Sequence, residues 1–387
     1  MERGNKFMKK KVLILITLVV CVFSPLFANG AQEVSDNSSQ EMVKIVDDNG
    51  DVSNVKINPE RVVITDIYPL ASVLTVFLDS ADTLVGIHPV SMSAAKNGLL
   101  GELYPSILDV DTSFMSGSDL NIEQLMLLKP DVVLYNASKK AQGEMIRNAG
   151  IKAIGVSAVK WDYDVLKTYE KWANILSQLY PSHKAVSEKV DNYSIETKKL
   201  IQNRVKNISD ENKKDVLFLF NYDDKKIITS GKHFFGQWWA NAVGAKNIAE
   251  EIKLDNANAI INMEQVYAWN PDLIFITNFT PALPQDLYNN SISNDDWSNV
   301  KAVINKDVYK LPLASYRSYT PGVDTPITLL WMAKKVYPKL FEDIDIEKET
   351  LDYYKALYDI VLSDDQIYTM YNSSREAANG YMPSVNK

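Results

Sequence analysis

The chain contains three histidines, His88, His183 and His233, and one cysteine, Cys21, in 387 residues. A bare zinc or manganese ion usually takes several His and carboxylate ligands, so this supply fits a metal that arrives already chelated better than a naked ion. His88 follows the apolar run Leu84-Val85-Gly86-Ile87, at the strand edge where α/β folds place ligands, although a His-Pro turn is an equally good structural reading. His233 stands beside Phe234, Phe235, Trp238 and Trp239, of which Phe235, Trp238 and Trp239 also fit one helical face and hence a core. Tyr316-Arg317-Ser318-Tyr319 sets a cation among aromatics after a strand, suited to an anionic chelate or a carboxylate-bearing ligand, with an ordinary surface ion pair as the plain alternative. Tyr68, Ser116, Asn136, Tyr222 and Asn278 join the ligand-contact candidates through strand-end or loop placement alone, whereas His183 lies on a polar helix and is expected to face solvent. There is no Gly-rich dinucleotide fingerprint, no Gly-x-Ser-x-Gly elbow and no His-Glu-x-x-His, and Ser230-Gly231-Lys232-His233 lacks the parts of a phosphate loop, which weakens an enzymatic reading. No intrinsic cofactor is expected.

The elements that would position these residues are marked by a repeat. Asn121-Ile122-Glu123-Gln124, Pro130-Asp131 and the strand from Val132 recur as Asn262-Met263-Glu264-Gln265, Pro271-Asp272 and the strand from Leu273, at a constant offset of 141 positions. In each copy the Asn can cap a short helix, the Glu meets the positive helix end, and Pro-Asp stops the helix before a buried strand. Two such units predict two similar α/β lobes. Around them, the pattern predicts a hairpin over 42–57 with an Asn-Gly turn, strands at 62–65, 84–87, 153–156, 215–220, 225–229 and 308–311, and helices near 69–78, 141–149, 163–179, 234–243, 297–305, 325–336 and 346–362. Alternation of this kind predicts doubly wound lobes with mostly parallel central sheets. Between them, 181–207 has no glycine and mostly polar residues, with Ala185, Val186, Val190, Tyr193, Ile201 and Val205 in helical stripes, and is long enough to connect two lobes. The expected organisation is a signal peptide (1–30), a flexible tether (31–42), an N-terminal lobe (43–180), a bridging helix (181–211) and a C-terminal lobe with terminal helices (212–387).

The start is basic and then apolar, Lys9-Lys10-Lys11 before 12–22, with small residues at Ala28 and Gly30, and reads as an export signal. Met8 is a second candidate start, and Cys21 stands where a lipoprotein cysteine would, although Val20 is a poor fit to that processing. A periplasmic or cell-surface location follows. Removal of residues 1–30 takes away five basic residues and one acidic residue and leaves a formal charge of −12, which argues against nucleic acid and anionic membranes as partners.

Pro59-Glu60-Arg61-Val62-Val63, Leu84-Val85-Gly86-Ile87, the two Asn-x-Glu-Gln…Pro-Asp units, Val243-Gly244-Ala245-Lys246-Asn247-Ile248-Ala249 and Trp297…Lys301-Ala302-Val303…Val308-Tyr309-Lys310-Leu311-Pro312 together resemble the helix-bridged (class III) substrate-binding proteins of ABC importers, over about residues 43–340. The resemblance implies two rigid lobes joined by one helix, with a ligand such as a ferric siderophore, haem or cobalamin between them and a permease docking onto both. It carries the permease-docking role to Glu123 and Glu264, one on each lobe. The expected function is a non-enzymatic, monomeric receptor for a metal chelate, with ferric siderophore-like or other iron complexes first. Cobalamin, haem or a nickel chelate is the alternative within the family, and an exported α/β enzyme the alternative outside it.

Overall fold

Two sheets flank one long helix in the computed structural model, which describes residues 41–252 and 258–381; the expected signal peptide and the tether up to residue 40 lie outside the described residues. The first sheet runs Leu84–Ile87, Val62–Ile64, Val132–Asn136, Ala153–Val156, with every pairing parallel. These strands are apolar throughout because helices cover both faces: Val62, Val63, Val132, Val133, Leu134 and Ile154 are all fully buried. The second sheet is mixed. Asp215–Tyr222, Leu273–Ile276 and Val308–Lys310 are parallel neighbours, while Ile227–Ser230 returns antiparallel to Asp215–Tyr222 and pairs antiparallel with Asn258–Ile261. Met42–Val46 and Val52–Lys56 form the expected hairpin, whose first strand begins at the last residue assigned to the tether. Its turn docks onto the first sheet, where Asp47 accepts from the Gly155 amide at 2.7 Å.

The helix Lys184–Val205 follows a single 3-10 turn, Pro181–His183. At 1.5 Å per residue it is roughly 33 Å long. Its buried face is Ser187, Val190, Ser194, Thr197 and Ile201, spaced three and four apart. This face differs from the expected apolar stripe, since Ala185 is exposed and Val186, Tyr193 and Val205 are only partly buried. Small residues let the helix Thr325–Val336 approach closely, and that helix is buried nearly all round. His183 is half-buried, its ring 6.1 Å from that of Phe77, rather than solvent-facing.

Each repeat unit folds as its sequence directs. Asn121 Oδ1 accepts from the Gln124 amide at 3.1 Å, and Asn262 Oδ1 from the Gln265 amide at 2.9 Å, capping the helices Ile122–Leu127 and Met263–Trp269. The Pro-Asp aspartates do more than end a helix. Asp131 Oδ2 accepts from the Glu60 and Arg61 amides (2.8 and 3.0 Å), and Asp272 Oδ2 from the Asp215 amide (2.9 Å), so each carboxylate holds the entry to the neighbouring strand. Elsewhere the expectations shift. Pro89 sits at the first position of a helix, Pro89–Asn97, rather than in a turn, and the helix near 297–305 shrinks to Lys301–Ile304 because Trp297 is fully buried, donating to Tyr222. The last predicted helix ends at Tyr358 instead of 362, and a helix the pattern did not predict, Asp364–Tyr371, follows it, opened by a Ser363/Gln366 capping box.

Candidate functional site

On the first lobe, the ends of Val62–Ile64 and Leu84–Ile87 bring Asp66, Tyr68 and His88 together. The Tyr68 and His88 ring centroids are 4.5 Å apart. His88 caps the helix Pro89–Asn97: its Nδ1 accepts from the Val90 amide at 3.0 Å, which leaves the proton on Nε2 to be donated to Gly117 O at 2.9 Å. Burial lowers its pKa, so the ring is neutral with both nitrogens engaged. Burial, with Asp66 and Tyr316 nearby, pushes Tyr68 up to about 12 and keeps the phenol protonated. Asp66 pairs with Lys139 at 2.6 Å through Oδ1, and its Oδ2 has no partner among the described residues.

On the second lobe, the loop after Val308–Lys310 carries Tyr316 and Arg317, both buried. Arg317 donates through Nε to the carbonyls of Asn278 and Ala377 (both 3.0 Å), through Nη1 to Tyr316 Oη (3.1 Å) and Val90 O (3.4 Å), and through Nη2 to Asn379 O (2.9 Å). All these acceptors are neutral, and among the described residues no carboxylate pairs with this guanidinium. A buried cation held only by dipoles is favourable ground for an anion. Around it, Phe220, Phe234, Phe279 and Tyr319 form one aromatic cluster, with Phe220 within 6 Å of each of the other three. The lobes meet directly here. Leu99 N donates to Ala314 O at 3.0 Å, and Tyr163 lies 5.5 and 5.1 Å from Phe234 and Phe235.

Six buried side-chain polar atoms among the described residues have no hydrogen-bond partner, and four of them belong to Asp66, Asn221, Asn278 and Ser318. Asp66, Asn221 and Asn278 stand at or just beyond the C-terminal ends of sheet strands, where open α/β sheets bind ligands, and Ser318 lies in the loop after Val308–Lys310, next to Arg317. Unpartnered polar atoms are rare in folded proteins, and their concentration here is a signal of ligand contact.

The sequence candidates therefore divide. Tyr68, His88, Tyr316 and Arg317 gather at the facing strand ends. Asn278 is fully buried beside them, its Nδ2 donating to Leu311 O and Pro312 O (2.8 and 3.0 Å) and so joining two strand ends. Asn136 is half-buried at the end of its strand, where its Oδ1 accepts from Ser138. Ser116 and His233 are exposed, and Trp238 is half-buried with its ring 5.1 Å from Trp239. Tyr222 is not brought to this region: it packs in a separate core with Leu217, Leu219 and Trp297, and Trp297 Nε1 donates to its hydroxyl at 3.0 Å. A bulge opposite Ile228/Thr229 inserts Phe220 without a paired partner and switches the faces beyond it, so simple alternation misplaces Tyr222. Asp66, Lys139, Phe220, Phe279 and Tyr381 were not singled out in the sequence, since none lies in a motif. Among the described residues, no three His, Cys, Asp or Glu side chains converge as a metal-ligand group.

Glu123 and Glu264 are both exposed, each at the second position of its helix, and neither makes a hydrogen bond or ion pair among the described residues. The caps are made by the asparagines, which leaves both carboxylates free to face solvent.

A family model described as periplasmic binding protein matches residues 78–314. The chain is 25% identical over 307 residues to the molybdate-binding protein MolA of Haemophilus influenzae, covering 74% of this chain and 82% of that protein. It is 24% identical over 330 residues to the Fe(3+)-citrate-binding protein YfmC of Bacillus subtilis, covering 85% and 96%. Among solved structures, a periplasmic solute binding protein from Veillonella parvula superimposes with a TM-score of 0.77 at 26% identity, covering 87% of this chain and 98% of that one.

Proposed function

Because the chain belongs to the periplasmic binding protein family, in the helix-bridged class that serves ABC importers, we propose that it captures an anionic metal chelate between its lobes, a ferric siderophore-like or other iron complex first, and hands it unchanged to a membrane permease. It is an extracytoplasmic solute-binding protein and not an enzyme. The observation that carries the ligand class is Arg317, a buried guanidinium without a carboxylate partner among the described residues, set between tyrosines where the two lobes meet. A relative named for ferric citrate and another named for molybdate support a negatively charged, metal-containing ligand, and molybdate is the second reading. In this reading His88 and Tyr68 contact the ligand from the first lobe, Tyr316 and Arg317 from the second. Glu123 and Glu264, one exposed charge on each lobe, meet basic groups of the permease.

The test is titration of the purified protein with ferric citrate, haemin and molybdate, followed by tryptophan fluorescence and by chromatography of the recovered ligand. Ferric citrate is expected to bind and return unaltered, with affinity at least tenfold weaker in Arg317→Ala and measurably weaker in His88→Ala, each variant checked for native circular dichroism. Binding of none of the three probes defeats the proposed ligand class, chemical conversion of a probe defeats the receptor reading, and unaltered affinity in both variants removes these residues from the site.

A further inference from the structure

The C-terminal segment crosses from one lobe to the other over Arg317. Its root is Arg375, whose two terminal nitrogens reach the two carboxylate oxygens of Asp286 at 2.7 Å each. The carbonyls of Ala377 and Asn379 then take two of the Arg317 donors, and Asn379 O also accepts from Ser93 on the first lobe's helix Pro89–Asn97. Gly380 has φ +73°, and a Cβ there would stand 2.7 Å from Ser93 Cβ, so only glycine lets the chain run this close to the helix. Tyr381 ends the crossing with its ring 4.6 Å from Phe279 and 6.1 Å from Phe220.

We propose that residues 375–381 are a displaceable strap, whose backbone carbonyls hold the Arg317 guanidinium in place of the oxygens of an anionic ligand. The ligand's charge rests on the reading given above; the strap rests on its own contacts. Of the four carbonyls on the guanidinium, those of Asn278 and Val90 belong to the lobes and stay in place, while those of Ala377 and Asn379 belong to a short segment that can lift. An anionic oxygen adds ion–ion attraction and, for a carboxylate, a bidentate fit to the guanidinium that a neutral carbonyl lacks, so a bound anion outcompetes the strap, whereas water or a neutral solute does not. The Arg375–Asp286 pair anchors the strap root while the distal residues move. A strap of this kind raises selectivity, because a solute that cannot engage Arg317 leaves the cleft closed.

The test uses the full chain carrying Cys21→Ser, which then contains no cysteine, with ferric citrate as the anionic probe. Ser93→Cys combined with Asn379→Cys and joined by a short dimaleimide should bind ferric citrate at least tenfold more weakly than the same pair left unjoined. A chain ending at Ser374 should bind it at least threefold more tightly than the full chain. Equal affinity in joined and unjoined protein overturns the competition. Hydrogen exchange at the amides of 376–381 supplies a readout without ligand: in the empty protein Arg317→Ala should accelerate it at least tenfold, and unchanged exchange overturns the strap's tether to Arg317. If ferric citrate fails to bind even the unjoined and shortened proteins, the ligand class proposed above fails, and exchange alone decides the strap.

Discussion

The two repeat units begin alike and end differently. At their outer ends both present an Asn cap, an exposed Glu at the second helical position and an aspartate that accepts from the amides of the adjoining strand. At their inner ends, the strand Val132–Asn136 runs into a half-exposed turn at Asn136–Ser138, whereas Leu273–Ile276 runs into a loop over 277–282 that is buried except at Pro281. That loop is held by Lys310, whose ammonium donates to the carbonyls of Thr277, Thr280 and Ala282 at 2.9, 2.5 and 2.8 Å. Local sequence therefore repeats what each lobe shows on the outside, while the inner strand ends diverge. Beside the inner ends one lobe sets the Asp66–Lys139 pair and the other Arg317.

Substitutions at matched positions separate these layers. Lys310→Ala should have the largest effect, about 3–4 kcal/mol by urea denaturation, because it leaves three buried carbonyls unpaired and opens a void. No counterpart exists in the first unit, so a loss below about 1 kcal/mol would contradict the division drawn here. Asp131→Ala and Asp272→Ala should each cost about 2–3 kcal/mol, since a carboxylate is lost from strand-entry amides. Asp272 also responds to acid. Burial raises the Asp272 pKa, but Lys301, the Asp215 amide and Lys214 outweigh it, leaving a folded pKa below the ordinary aspartate value of about 3.9. Its stabilisation is thus complete above that value and disappears as pH falls through the folded pKa, so the stability gap between the native protein and Asp272→Asn should narrow below about pH 4. Asn121→Ala and Asn262→Ala should each lose about 1 kcal/mol, and similarly to each other, because their cap geometry is shared. Smallest of all, Glu123→Gln and Glu264→Gln should change stability by less than about 0.5 kcal/mol, as exposed residues without partners among the described residues.

Strands, caps and the bridge were legible because they depend on neighbours in sequence. Val132–Asn136 as far as Tyr135, and Ala153–Val156 throughout, are continuous apolar runs, and Asn121 and Asn262 stand three residues before the amides they cap. The bridging face was misjudged because hydrophobicity favours Tyr193 and Val205, whereas close helix packing selected Ser187, Ser194 and Thr197. For His88 a usable signal was present, as the proline that follows opens a helix and makes the histidine its cap. Arg317 was found by type, but its surroundings were not: two of its acceptors come from Ala377 and Asn379, about sixty positions away, and one from Val90, in the other lobe. Such long-range contacts leave no local period or spacing in the sequence.

The proposed common purpose of the two outer faces is tested most directly by transport. Glu123→Gln and Glu264→Gln, combined in one chain, should bind ferric citrate with the native dissociation constant and yet fail to stimulate its uptake through the cognate permease in proteoliposomes. Removing the charges preserves size and leaves the asparagine caps in place, so folding and capture should be spared. Uptake at the unmodified rate would show that the matched glutamates are not read by the permease, and would contradict the account of the two faces as a docking pair.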